Sequence, residues 1–424
     1  MNAPCVLFPV AGQAYHARSI GGSRRQVVAR AAGNAVRCRA VNTGECRPLA
    51  GLKVLELTHM VMGPACGLVL ADLGADVIKV EPPGGDPTRR LPGSGAGYFP
   101  MYNRNKRSIC LNLKSPEGMD AALKLADRSD VLVQNFRPGA MARLGLDYET
   151  LSKRNPRLIY CTEKGFQAGP YENRAALDEV AQMMGGLAYM TGPPGKPLRA
   201  GASVIDVQGG MFGSLGVLAA LHERERTGRG CEVVATLYES AVFLVGQHMA
   251  QKAVTGTAAT PMPARVSAWA IYEVFATKTG EQIFVGVVSD VQWVRFCEAF
   301  ELHDLGADEN LKTNSGRVAR RDEFIPKIKE TFAAMTPAEL MERCAQAGLP
   351  FAPITRPEDL FDDAHLTASG GLLEVTVPDG EYAGEKASLP ALPVSVGGSR
   401  PTLFRDVPTA GQHTEEILAE LADT

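Results

Sequence analysis

The stretch Arg199-Ala-Gly-Ala-Ser-Val-Ile-Asp206-Val-Gln-Gly-Gly210 puts a carboxylate at the start of a helical run, with two glycines just behind it. An Asp carboxylate has a reference pKa of roughly 4 and is expected to be ionised at neutral pH. It can attack an activated acyl group without a general base and hold it covalently. The helix dipole and free N–H groups at a helix N-terminus favour such a charge. Gly209 and Gly210 carry no side chain, so a bulky substrate can approach. By pattern alone Asp206 reads first as an ordinary helix-start residue, since Asp is favoured there.

Other candidate residues follow strand-like segments. His59 comes after Lys53-Val-Leu-Glu-Leu57, and Asn135-Phe136-Arg137-Pro138-Gly139 comes after Asp130-Val-Leu-Val-Gln134, with Arg143 close behind. Arg104, Lys106 and Arg107 form a third cationic group just before a strand. Cations and backbone donors at strand ends suit a phosphorylated ligand, although most surface Arg and Lys are simply solvated. Phe136 could stack on a ring or belong to the core. A lone His such as His59 is as readily structural as functional. Asp178 is a second carboxylate of interest. No His lies between His59 and His222, so histidine acid–base chemistry in that region could use only His59 or a residue from elsewhere.

Several chemistries lack their signature. Gly93-Ser-Gly-Ala-Gly97 fails the GxGxxG pattern at Tyr98, and no GxxxxGK[ST], GxSxG or HExxH occurs. Nicotinamide, P-loop, serine-hydrolase and zincin readings are therefore unsupported. None of the 9 Cys makes a CxxC pair, so neither a metal site nor a disulfide framework is expected and reduced thiols are the default.

The elements that must position these residues read as α/β. Strand 53–57, a helix from Gly63-Pro64 to Leu73 closed by Gly74, and strand 76–81 form a β-α-β unit. Strands 107–113, 130–134 and 157–162 continue it, and Ser115-Pro116 predicts a capped helix to about Arg128. Such alternation gives a doubly wound domain whose ligands sit beyond the carboxyl ends of the strands. Further on, the pattern predicts a helix over 209–226, a strand over 232–236 and one long helix over 237–255. A hairpin around Lys278-Thr-Gly280, a helix-rich stretch from Asp290 to Ala347, an irregular Pro-bearing tail and a last helix near 414–421 complete the reading.

At 424 residues the chain is long enough for two or three domains, and 45% hydrophobic with 21% charged residues is a globular balance. A net charge of -3 gives no reason to expect nucleic acid as a partner, and no run of eighteen apolar residues free of charge suggests a membrane span. From Met1 to Thr43 there is no Asp or Glu, yet Arg18, Arg24, Arg25, Arg30, Arg37 and Arg39 occur. That is the composition of an organellar transit peptide, mitochondrial rather than plastid, expected to be disordered over 1–48. The alternatives are a bacterial leader or a misassigned start, which would leave the protein in the cytoplasm.

Taken together, Gly51-Leu-Lys-Val-Leu-Glu-Leu-Thr58, Gly63-Pro64 and Leu70-Ala-Asp-Leu-Gly-Ala-Asp-Val-Ile-Lys-Val-Glu81 resemble the opening of the class III CoA-transferase family, of CaiB/BaiF type. Asn103-Arg-Asn-Lys-Arg-Ser108, Val133-Gln-Asn-Phe-Arg-Pro-Gly139, Asn155-Pro-Arg-Leu-Ile-Tyr160, Arg226-Thr-Gly-Arg-Gly230 and Gly411-Gln-His-Thr414 extend the match in order over nearly everything after Leu49. The family includes formyl-CoA transferase, carnitine CoA-transferases and α-methylacyl-CoA racemases. The resemblance implies a Rossmann-like large domain built from both chain ends, a smaller α+β domain between them, and an interlaced homodimer. The expected divisions are 49–237, 238–345 and a returning 346–424.

The resemblance also implies the roles. Asp206 is the matching nucleophile. Coenzyme A, a cosubstrate rather than a tightly bound cofactor, would be lined by Val61, Met62, Leu111, Lys114, Asn135, Phe136, Arg137, Arg143 and Arg174. His59 and Asp178 could face the acyl group, Asp178 alternatively being a helix-entry or CoA-contact residue. Apart from the resemblance, Arg265, standing where the family's glycine-rich loop would be, could pair with a distal carboxylate. The expected reaction moves CoA from an acyl-CoA, such as succinyl-CoA, to a free dicarboxylic acid through an aspartyl anhydride. The glycine-rich loop of oxalate-using members is missing between Thr257 and Tyr272, which disfavours oxalate. Leu177, not His, precedes Asp178, which disfavours racemisation because that reaction needs two opposed bases. A 2-methylacyl-CoA racemase and a non-catalytic CoA-binding protein are the alternatives.

Overall fold

The structure, a computed structural model, describes residues 46–265 and 267–423. The expected leader lies almost wholly outside them.

Six parallel strands form the central sheet in the order β3-β2-β1-β4-β5-β6. They are β1 (Lys53–Leu57), β2 (Asp76–Glu81), β3 (Lys106–Cys110), β4 (Val131–Gln134), β5 (Ile159–Lys164) and β6 (Glu232–Thr236). β1 is central, with Val54 opposite Val77 on one side and Val131 on the other. Period-2 alternation sends side chains to two separate cores. Leu55, Leu57, Leu132 and Tyr160 pack on one face with α3 (Pro116–Asp127) and the C-terminal helix Thr414–Ala422. Val54, Val131, Val133, Ile159 and Cys161 pack on the other with α1 (Met62–Asp72). As the sequence predicts, Ser115 caps α3, accepting from Gly118 N at 3.1 Å.

Helices α2 (Tyr98–Tyr102), α4 (Ala140–Leu144), α5 (Tyr148–Arg154), α6 (Asp178–Met184), α7 (Leu187–Thr191) and α8 (Val204–Thr227) fill the connections. α8 starts five residues before the expected Gly209, which places Asp206 in its first turn. Its 24 residues and mean hydropathy of 1.5 would suit a bilayer by length and composition. Its stripe Ile205, Gly209, Gly213, Val217 and Ala220 is instead buried. The glycines let α8 touch α1 backbone to backbone: a Cβ at Gly210 would come within 2.5 Å of Met62 O.

The expected single helix over 237–255 is two, α9 (Leu237–Leu244) and α10 (Gly246–Thr255), broken at Val245. Residues 271–276, 282–287 and 351–353 form a three-stranded antiparallel sheet turning at Gly280, where φ is +92°. Trp293, Phe296, Phe324, Phe332 and Leu340 give this region its own core. The tail read as irregular contains an antiparallel strand pair, Leu372–Thr376 with Lys386–Pro390. The returning chain is tied to the sheet by Asn105, whose Oδ1 accepts from Phe404 N and Arg405 N and whose Nδ2 donates to Thr402 O.

Candidate active site

An α-helix leaves its first amides without internal partners. In α8 the flanking Ser203 side chain does not cap them. Asp178 does so from α6: its Oδ2 accepts from Ile205 N at 2.8 Å and from Asp206 N at 3.0 Å. Asp178 is 4% exposed. Its Oδ1 accepts from Gln182 Nε2, and Gln182 Oε1 in turn accepts from Ala200 N at 2.8 Å. Arg199 lies 3.8 Å from Asp178 Oδ1 and pairs with Glu179. Asp178 is therefore committed to holding the helix start.

This setting changes Asp206. Burial, then the negative charges of Asp178 and Glu179, push its pKa up to about 7, with Arg199 opposing. The expectation of a carboxylate fully ionised at neutral pH is thus corrected. Near pH 7 only part of the population carries the charge, and the ionised form is a more basic, desolvated nucleophile than a free Asp.

Two residues that the sequence reading missed stand beside it. Tyr102 has its hydroxyl pKa raised by burial and then by the charge of Asp206, with Tyr98 adding to it. Tyr98 Oη is 3.5 Å from Ser203 Oγ, one turn ahead of Asp206. The i, i+4 spacing of these tyrosines on α2 was the available signal.

The strand order reverses at β1 and β4, the point where an open α/β sheet binds its ligands. His59 follows β1 and Asn135 follows β4. Asn135 clamps the first loop with both ends of its amide: Oδ1 accepts from His59 N at 3.0 Å and Nδ2 donates to His59 O at 2.8 Å. The next residue, Met60, sits at φ +63°. The His59 and Phe136 rings meet edge to face at 5.8 Å. Partial burial keeps the imidazole below its usual pKa, against Asp86 and helped by Lys79 and Arg137, so His59 is mostly neutral at pH 7. Val61 and Met62 are buried. A Cβ at Gly209 would come within 2.6 Å of Met62 Cε, so the methionine occupies the space that the glycine leaves. Past the ends of β4 and β5 a pocket of about 210 Å³ is lined by Phe136, Arg137, Gly139, Tyr148 and Lys164, among others.

The remaining candidates are more dispersed. Arg143 is exposed beside Gly139, and Lys114 is exposed. Arg174, also exposed, lies 5.1 Å over the Tyr171 ring. The Leu111 side chain is buried in the core shared with α3, which leaves only its backbone for a ligand. Arg265 turns onto its own loop, with Nη1 on Met262 Sδ at 2.7 Å. The cationic group Arg104, Lys106 and Arg107, the last two of which open β3, is not a phosphate site. Arg104 pairs with Asp72 at 2.7 Å and Lys106 with Glu56 at 2.7 Å, both fully buried. Arg107 binds Asp76, Glu416 and Glu420. These cations fasten α1, the sheet and the C-terminal helix. Burial, offset in part by Glu56, lowers the Lys106 pKa to about 8.

A parallel sheet open at its switch point, with a partly buried carboxylate at the start of a glycine-seamed helix, is the arrangement of an α/β ligand-binding enzyme. Residues 49–414 match CoA-transferase family III, and the chain belongs to that family. It is a CoA-transferase, as are the named relatives. It is 34% identical over 392 residues to succinyl-CoA:glutarate CoA-transferase of Mus musculus, covering 88% of this chain and 86% of that one. It is 33% identical to the succinyl-CoA–L-malate CoA-transferase beta subunit of Chloroflexus aurantiacus, covering 88% and 94%. The crystal structure of a CAIB/BAIF family protein from Brucella suis superposes with a TM-score of 0.78 at 31% identity, covering 89% of this chain and all of that one.

Proposed function

We propose that the protein moves CoA from succinyl-CoA to a second dicarboxylic acid, with Asp206 as the covalent carrier. The partly buried carboxylate of Asp206, on a helix start whose backbone N–H groups Asp178 accepts, is the observation that carries this reading. Its oxygen attacks the thioester carbonyl, forming an anhydride and releasing CoA thiolate. The thiolate attacks the Asp206 carbonyl, giving an aspartyl-CoA thioester and free succinate. The acceptor carboxylate displaces CoA from that thioester to form a second anhydride. CoA then takes the acceptor acyl group and leaves Asp206 free. Each step exchanges one acyl bond for another, with no redox change and no external base.

The names of relatives at 33–34% identity support the substrate class: they act with succinyl-CoA on glutarate, malate and mesaconate. Arg265 has no carboxylate partner among the described residues, so it is available to a ligand's distal carboxylate. Neutral His59 would sit against the acyl chain. A homodimer is part of the proposal, supported by an uncovered apolar face on α8 to α10 where Phe243 is 71% and Val254 81% exposed. So is import into an organelle, mitochondrial in the first instance, on the acid-free, Arg-bearing leader.

The test is a panel of acids offered with succinyl-CoA, reading new acyl-CoA by mass. Glutarate, malate or mesaconate should be converted and oxalate should not. Failure of every dicarboxylate, or deuterium exchange at the α-carbon of a 2-methylacyl-CoA without transfer, would overturn the reading.

A further inference from the structure

The lack of a CxxC pair argued against a metal site in the sequence, yet the fold assembles one candidate from distant positions. Cys66 lies on α1, while Cys161 and Glu163 are alternate residues on β5 and so point to the same face. They are 0%, 0% and 1% exposed. One ligand atom from each, Sγ, Sγ and a carboxylate oxygen, lie within 4.8 Å of one another. Neither oxygen of Glu163 has a hydrogen-bond partner among the described residues. A buried carboxyl without partners costs free energy and needs an explanation. Gly213 on the facing helix admits the carboxyl at close range: a Cβ there would come within 2.3 Å of Glu163 Oε1 and 3.4 Å of Cys66 Sγ.

We propose that Cys66, Cys161 and Glu163 bind one thiophilic divalent cation of the zinc class. Two sulfurs and one carboxylate suit a borderline-soft ion and not magnesium or calcium, which take oxygen. Burial and neighbouring groups raise the pKa of all three. For Glu163 burial is the main cause, with Cys66, Glu56 and Asp206 adding to it. For Cys66 the Cys161 thiol and then burial raise the pKa, with Glu56 adding and Ser214 opposing. For Cys161 the hydrogen bond with Cys66 lowers the pKa, and burial, Glu163 and Glu232 together outweigh it. Metal binding requires the thiolate and carboxylate forms, so it releases protons and strengthens as pH rises. The ion joins α1 to β5 under α8, bracing the elements that carry Met62 and Asp206. No step of acyl transfer passes through it.

The test uses the full chain, reduced and chelator-treated, titrated with cadmium as a spectroscopic stand-in for zinc. The expected result is a thiolate-to-cadmium absorbance that saturates at one ion per chain and is displaced by zinc. Cys161→Ser should abolish it and Glu163→Gln should weaken binding by about tenfold or more. Replacing the exposed thiol, Cys231→Ser, should leave it unchanged. Because core variants can fail to fold, X-ray absorption on the zinc-loaded native protein gives an independent reading, with two sulfur ligands expected. Equal cadmium binding in Cys161→Ser, no stoichiometric ion, or a zinc shell without sulfur overturns the proposal.

Discussion

The Asp178 carboxylate accepts the backbone N–H of Asp206 at 3.0 Å, so the two acids meet through the main chain and not through a shared proton. One residue thereby both anchors the helix start and raises the pKa of its neighbour. The remaining Asp178 oxygen is held by Gln182, which is itself tied to Ala200 N, so the loop leading into α8 and the cap form one unit.

Separating anchor from charge gives the first prediction. Asp178→Asn keeps an oxygen acceptor but removes the negative charge, so the Asp206 pKa falls and the acidic limb of the kcat/KM profile moves to lower pH. Asp178→Ala loses the cap as well and should cost about 1 kcal/mol of stability. pH–rate profiles and thermal melts on both variants check this. An acidic limb that stays in place in Asp178→Asn would contradict it.

In the native protein, activity should rise through a midpoint near pH 7 as Asp206 ionises. The stability effect has the opposite sign. The folded pKa lies above the unfolded value of about 4, so the ionised group destabilises the fold progressively as pH rises from about 4 to 7. Relative to wild type, Asp206→Asn should gain melting temperature across that window and hold a constant advantage above it. A difference independent of pH would refute the assignment.

The α1–α8 seam predicts different outcomes for adjacent glycines. At Gly210 an added methyl meets Met62 O at 2.5 Å, which is backbone and cannot move aside, so Gly210→Ala should destabilise by about 1–3 kcal/mol. At Gly209 it meets only the mobile tip of Met62 at 2.6 Å. Gly209→Ala should stay folded, helped by helix propensity worth about 1 kcal/mol, and lose affinity for acyl-CoA as Met62 is displaced. Denaturant melts and KM values distinguish the two.

Asn135→Ala removes both clamps on His59. The loop after β1 should loosen, raising KM for acyl-CoA several-fold with the melting temperature little changed. Asn135→Asp, which keeps one acceptor, should recover part of the loss.

What was legible in the sequence was local. The Ser115 cap and the hairpin at Lys278-Thr-Gly280 depend on close neighbours and the β1-α1-β2 unit on one contiguous stretch, and each formed as read. What was not legible depended on distant partners. Arg104, Lys106 and Arg107 look solvent-facing until Asp72, Glu56 and Glu416 come to meet them. Asp178, in the sequence only a second carboxylate of interest, shows which backbone it holds once Ile205 N and Asp206 N meet it. The strand pair 372–376 and 386–390 was hidden by Pro390, which lies at its end and ends the ladder. At Val245 the apolar run of the first helix gives way to Gly246-Gln-His, and that glycine was the local mark of the break that the reading passed over.

Isotope transfer tests the carrier role of Asp206 most directly. The protein is turned over with succinyl-CoA and an acceptor dicarboxylate whose carboxyl oxygens are ¹⁸O, then digested and sequenced by mass. The covalent route deposits heavy oxygen in the Asp206 side chain and leaves Asp178 light. Normal turnover with an unlabelled Asp206, or label on Asp178 instead, would contradict it.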